Sequence, residues 1–164
     1  MMKQGYERVT NGNQIVATLP DEWRAMLDPL GGGVQIGLWK PTLGDESWMK
    51  LKTSSQTWSD QGLRYYKGDV WYRTKVDVPA SFSGKQVKLW LSSIDESARV
   101  WLNGTELTNT AKGKALGSPW EFNATPAVRF GEPNVLVIDV TNKILDELGT
   151  GGIMGPVVLW SPGL

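Results

Sequence analysis

The sequence predicts an all-β sandwich folded as one domain. Three observations carry that expectation. Hydrophobic residues recur every second position from residue 70 onward; nineteen Gly and nine Pro punctuate the 164 residues; and Asn103-Gly104 is a step that closes tight hairpins.

The elements follow in order. Residues 1–12, ending in polar Thr10-Asn11-Gly12, read as a flexible lead-in, and 13–164 as the single domain. Residues 14–30 suggest an opening strand pair, with Ile15, Ala17 and Leu19 alternating before Pro20 and a second stretch starting near Trp23. Gly31-Gly32-Gly33 breaks the chain. Residues 34–69 have no period but carry Trp39, Trp48 and Trp58, which argues for an ordered, functional loop region rather than disorder. Val70, Tyr72, Thr74, Val76 and Val78 share one face of a strand ended by Pro79. Val87, Leu89 and Leu91 make the next, and Ala98, Val100 and Leu102 a third, closed by Asn103-Gly104. Leu136, Ile138 and Val140 form a fourth, and Val157 and Leu159 a last one. Only Lys143 to Leu148 has helical character. Short strands at this spacing indicate a sandwich.

Composition excludes several chemistries. Seventeen basic and seventeen acidic residues cancel, so the basic footprint of a nucleic-acid binder is missing. No Cys rules out disulfides and thiolate sites, and no His removes the usual zinc ligand and neutral-pH base. No apolar run approaches the roughly 20 residues of a membrane-spanning helix, and Met1-Met2-Lys3-Gln4 does not read as a signal peptide. Oxygen ligands alone remain for a metal, without an acidic loop of calcium-binding spacing. No cofactor is therefore expected, although a structural calcium on backbone carbonyls stays compatible with the composition.

If the small aliphatics point inward, Trp71, Arg73, Lys88, Trp90, Arg99 and Trp101 point outward. Two arrangements are open. Either the first fifty residues cover these tryptophans as a second packed layer, or the rings form an exposed platform for a ligand. The apolar lead segment, which needs somewhere to pack, favours the cover. Arg73 is expected to make a structural ion pair, Trp48 to plug the sandwich, and Tyr65 to point outward while Tyr66 continues the inward parity of Val70 and Tyr72.

Residues 62–104 resemble a known family. Gly62, Tyr66-Lys67-Gly68-Asp69-Val70-Trp71-Tyr72-Arg73, Val76-Asp77-Val78-Pro79, Gly84-Lys85, Ile94-Asp95-Glu96-Ser97-Ala98 and Val100-Trp101-Leu102-Asn103-Gly104 are similar to the sugar-binding domain of family 2 glycoside hydrolases. Pro119-Trp120-Glu121-Phe122, Gly131-Glu132-Pro133-Asn134 and Gly151-Gly152-Ile153 continue the likeness. So, upstream, do Gly37-Leu38-Trp39, Asp45-Glu46-Ser47-Trp48 and Trp58-Ser59-Asp60-Gln61. The resemblance implies a galactose-binding-like jelly roll and an extracellular or periplasmic setting. It also implies a parent enzyme whose catalytic carboxylates lie in a separate barrel and have no counterpart here. In some members, loops of the jelly roll reach the sugar. By position those are the loop before Trp71-Tyr72-Arg73 and the loop after Val140-Thr141-Asn142.

Sugars stack their C–H faces on aromatic rings and hydrogen-bond through hydroxyls to planar polar groups. Loop 58–69 supplies Trp58, Gln61, Arg64, Tyr65, Tyr66 and Asp69; loop 142–152 supplies Asn142, Lys143, Asp146 and Glu147; loop 112–123 supplies Lys114, Trp120 and Glu121. The expected carbohydrate-binding residues are Trp58, Gln61, Arg64, Tyr65, Asp69, Trp120, Asn142, Lys143 and Glu147, with Trp58 or Tyr65 as the stacking ring; for Trp120, beside a turn, a plug in the sandwich is the favoured reading. The expected function is a monomeric, non-catalytic carbohydrate-binding module whose partners are an oligosaccharide or polysaccharide and the catalytic domain of a parent glycosidase. The alternative is a scaffold domain that packs on that catalytic partner and binds no sugar. A small hydrolase using Asp45-Glu46, Asp95-Glu96 or Asp146-Glu147 is a third reading, weakened because neighbouring carboxylates on a strand splay apart.

Overall fold

A computed structural model describes residues 6, 7, 9–113, 118–144 and 150–163. Among them, eleven strands form two antiparallel sheets. The first sheet holds β1 (Gln14–Thr18), β11 (Val157–Ser161), β5 (Lys88–Leu91), β9 (Trp120–Asn123) and β8 (Thr108–Ala111), in that order. The second runs β3 (Met49–Lys52), β2 (Glu22–Asp28), β4 (Gly68–Asp77), β10 (Pro133–Asn142), β6 (Ser97–Leu102) and β7 (Thr105–Glu106). This is the sandwich that the two-residue period implies.

The frame of the second sheet is the pairing of β4 with β10, in register from Gly68↔Asn142 to Asp77↔Pro133. Val70 and Tyr72 face Leu136, Ile138 and Val140 in one core that also takes Leu89, Leu91, Val100, Leu102, Phe122 and Leu159. Asn103 and Gly104 take φ of +52° and +84°, the left-handed pair that a type I′ turn requires, and close the β6–β7 hairpin at Leu102↔Thr105. Asn103 is also structural through its side chain, which donates to Asn134 Oδ1 and accepts from the Val135 amide.

The structure departs from several expectations. The first two strands do not pair with each other. β1 pairs with β11 and β2 with β4, because Pro20 lies where the chain passes from one sheet to the other. The irregular stretch 34–69 contains β3, a single helical turn at Gly33–Ile36 and a 3₁₀ turn at Ser59–Gln61. Residues 108–123 supply two strands that short, polar sequence hides. In the lead-in, Val9 is buried against Trp90, Val158 and Trp160. Lys114, Asp146 and Glu147 lie outside the described residues, as does most of the expected helical stretch Lys143 to Leu148.

The outer tryptophans are covered, as the apolar lead segment favours, and they form no exposed platform. Trp71 and Trp101 stack with centroids 5.2 Å apart beneath Leu38, Trp48 and Val34. Arg73 clamps this cover. Its Nε lies 3.1 Å from Asp45 Oδ2, and its two terminal nitrogens donate to the carbonyls of Lys40 and Pro41 at 2.9 and 2.7 Å. On the other sheet, Lys88 pairs with Glu121 at 2.9 Å beside buried Trp90.

A second clamp predicts an acid response. Asp21 accepts from the amides and hydroxyls of Ser54 and Ser55, fastening residues 53–55 to the start of β2. Partial burial pushes its carboxyl up, but the hydrogen bonds from Ser55 and Ser54 outweigh that and hold it at about 2, below its ordinary 3.8. The unfolded chain then takes up this proton first on acidification. Stability from Asp21 is full above that ordinary value and drains away as pH falls through about 2. Urea unfolding at stepped pH is expected to show a shallower acid limb in Asp21→Asn than in the parent.

Candidate functional site

Three segments meet over one end of the outer face of the second sheet. Where β2 ends, the Asp28 carboxylate accepts from the amides of Gly32 and Gly33, at 3.1 and 2.7 Å, and from the Trp71 indole N–H at 3.2 Å. These bonds fold Pro29–Gly31 and the helical turn back over the sheet. A Cβ on Gly33 would collide with the Trp71 ring, so only glycine lets the backbone sit this close. The register of β4 on β10 sets Gly68 opposite Asn142 and Asp69 opposite Thr141, which brings Lys67–Asp69 and Thr141–Lys143 to the same end. Glu96, at a left-handed φ of +63°, holds the second of these through the amides of Lys143 and Ile144 at 2.7 and 2.8 Å.

Between the segments lies an open cleft of 570 Å³, with Arg99 and Asp139 from the middle of the sheet also lining it. Arg99 is drawn sideways onto Glu106 by two bonds of 2.8 and 2.9 Å. Asp139 is 5% exposed, and its Oδ1 has no hydrogen-bond partner. Burial pushes its carboxyl up to about 7; nearby Asp69 and Asp28 add to the rise, and Arg99 opposes it.

The nine residues expected to bind sugar divide sharply. Asp69, Asn142 and Lys143 line the cleft together. Trp58 does not: it is 1% exposed, its indole N–H donates to the Tyr72 hydroxyl, and its ring meets Tyr66 edge-on. Gly151 and Gly152, at φ +113° and +79°, close over the ring, and a Cβ on either would press into it. Trp58 is therefore a core residue and offers no stacking face. Trp120 is corrected likewise, being buried and stacked on Phe122. Gln61 is a staple, accepting from the Lys52 amide and donating to the Lys52 carbonyl. Tyr65 points outward at 80% exposure with Arg64 beside its ring, but neither lines the cleft. Glu147 lies outside the described residues. Loops 58–69 and 142–152 do meet, through Trp58 N to Gly151 O and Ser59 Oγ to Thr150 O, yet that contact is packing.

Sequence reasoning missed Arg99, Asp139, Lys67 and the Pro29–Gly31 wall. Asp139 left one signal, a carboxylate between Ile138 and Val140 in an otherwise apolar run.

The comparisons with known proteins fit this architecture. The family described as glycosyl hydrolase 2 galactose-binding domain-like matches residues 45–150. This chain belongs to that family. The domain is 35% identical over 123 residues to a β-glucuronidase from Paenibacillus borealis, a match covering 74% of this chain and 20% of that protein. It is 34% identical over 77 residues to a β-glucuronidase from Formosa agariphila, covering 47% of this chain and 8% of that one. The chain thus spans a fifth or less of these curated relatives. Among solved structures, a β-glucuronidase from Ruminococcus gnavus, in complex with C6-substituted uronic isofagomine, superposes with a TM-score of 0.76 at 21% identity. That match covers 94% of this galactose-binding-like domain and 30% of the other chain. At such identity the likeness speaks for the fold alone.

Proposed function

We propose that this domain is a non-catalytic accessory module of a β-glucuronidase-like glycosidase acting outside the cytoplasm, and that its cleft contacts carbohydrate. One observation carries the reading. Lys67, Asp69, Asp139, Asn142 and Lys143 converge on one open hollow at the end of the sheet, a set of acceptors and donors suited to hydroxyls. No aromatic ring is among the described lining residues, so the hydrophobic half of sugar recognition is weak and the isolated module binds loosely. Attachment to an enzyme holding the same glycan would supply the missing avidity.

Amide chemical-shift mapping during titration with an oligosaccharide panel tests this. Saturable shifts are expected at Gly31, Gly68, Thr141 and Asn142, with none at Trp58 or Trp120. The same chain is expected to release no aryl alcohol from aryl glucuronides. A flat response to every glycan favours a second reading, for which there is also an observation. Leu30, which lines the cleft, and Ile36 and Ile144, each next in sequence to a lining residue, are 95%, 70% and 73% exposed, an apolar set that fits docking onto a catalytic partner.

A further inference from the structure

We propose that Asp139 anchors the ligand: its carboxyl accepts a hydrogen bond from one saccharide hydroxyl while Asp69 accepts from the adjacent one, so the cleft selects sugars with two neighbouring free hydroxyls. The inference rests on the carbohydrate reading above and deepens it. Asp139 stands opposite Trp71 on β4 and Arg99 on β6, on the outer face of the sheet. Asp69 is two residues from Trp71, which makes it the diagonal neighbour of Asp139, with backbones about 7–8 Å apart and side chains on the same face.

For the fold alone, Asp139 is a poor choice. A carboxyl that is 95% buried needs partners, and an unmet one weakens the folded state. A β-branched residue would suit this central strand better. Among the described residues, none gives the Asp139 carboxyl a hydrogen bond or an ion pair. Arg99 is held by Glu106 and leans over Trp101, 4.8 Å from the ring centroid. Asp28 has both oxygens engaged by Gly32, Gly33 and Trp71, so it is not free to share a cation, and among the described residues no group of three acidic side chains is placed to hold one. Oδ1 is sealed from solvent without a hydrogen bond, so the carboxyl meets the cleft through Oδ2. A hydroxyl arriving there gives the carboxyl a hydrogen bond at Oδ2, while Oδ1 stays sealed and unpaired.

The groups facing Asp139 are Asp69 from β4, Asp28 from the end of β2 and Arg99 from β6, with Lys67 and Lys143 also lining the cleft. A hydroxyl donor favours the ionised carboxyl, so bound sugar draws its titration down from about 7. Stability moves the other way. The folded chain keeps a proton that the unfolded chain has lost, so this group weakens the fold as pH climbs from about 4 through 7. Asp139→Asn removes that penalty.

The experiment titrates the 164-residue chain with methyl β-glucopyranoside, methyl β-galactopyranoside and methyl α-mannopyranoside, and with their 3-deoxy counterparts, which lack any adjacent ring pair. At least one parent glycoside is expected to saturate the cleft amides. Its 3-deoxy form and the Asp139→Asn protein are each expected to bind at least about tenfold more weakly. Affinity should rise from pH 6 to 8 in the parent and stay level in Asp139→Asn, whose melting temperature at pH 8 should be higher. The Asp139 carboxyl ¹³C titration in the parent, moved down by sugar, is independent of any variant. Unchanged affinity in Asp139→Asn, or equal binding of the 3-deoxy sugar, overturns the anchor while leaving the carbohydrate reading intact. No shift with any glycoside overturns both.

Discussion

Replacing Trp58 by Ala is expected to remove about 3–5 kcal/mol of folding stability, the range for deleting a buried aromatic side chain. The indole fills a slot formed by Tyr66, Tyr72, Gly151 and Gly152, and its N–H is the partner of a fully buried tyrosine hydroxyl. Burial pushes that Tyr72 hydroxyl well above the ordinary tyrosine range, and losing Trp58 leaves it without this partner in an apolar core. Urea unfolding should show the midpoint drop sharply, and a variant refolded at low temperature should keep its cleft shifts with sugar. Loss of sugar binding with stability unchanged would return Trp58 to the ligand site and contradict its assignment to the core.

Arg73→Ala should be nearly as damaging, by about 3–5 kcal/mol, because it removes one partner of a largely buried ion pair. Arg73 is 3% exposed and also holds the carbonyls of Lys40 and Pro41, so its loss frees the 40–48 segment from the Trp71–Trp101 stack. Near-ultraviolet circular dichroism should weaken along with stability. Arg73→Lys is expected to recover little, since a single ammonium cannot span one carboxylate and two carbonyls as a planar fork does. Full recovery with Lys would mean that charge alone holds the cover down.

Local pattern carried the strands at residues 70–78, 87–91, 98–102 and 136–140, because alternation over five or more positions has one physical solution when one face is buried. It also placed Tyr65 outward and Arg73 in an ion pair; Trp48 is buried, but in the layer outside the second sheet and not between the sheets. It failed where partners are remote. Trp58 is followed by Ser59-Asp60-Gln61 and looks wet, but the glycines that bury it stand more than ninety positions away. Asp139 falls on the outward parity of its strand, and that it is buried near Asp69 and Asp28 shows only in the folded chain. The strand at Trp120–Asn123 has only Trp120 and Phe122 to mark its inner face, too few to establish a period. Asp69, Asn142 and Lys143 were legible as polar loop residues; that they share an end follows only from the β4–β10 register.

A crystal of the chain soaked with methyl β-glucopyranoside, methyl β-galactopyranoside and methyl α-mannopyranoside in turn bears most directly on the role given to the cleft. One pyranose is expected between Pro29–Gly31, Lys67–Asp69 and Thr141–Lys143, with neighbouring hydroxyls on Asp69 and Asp139. A sugar seated instead on the exposed ring of Tyr65, or a cleft empty at saturating glycoside, would contradict it.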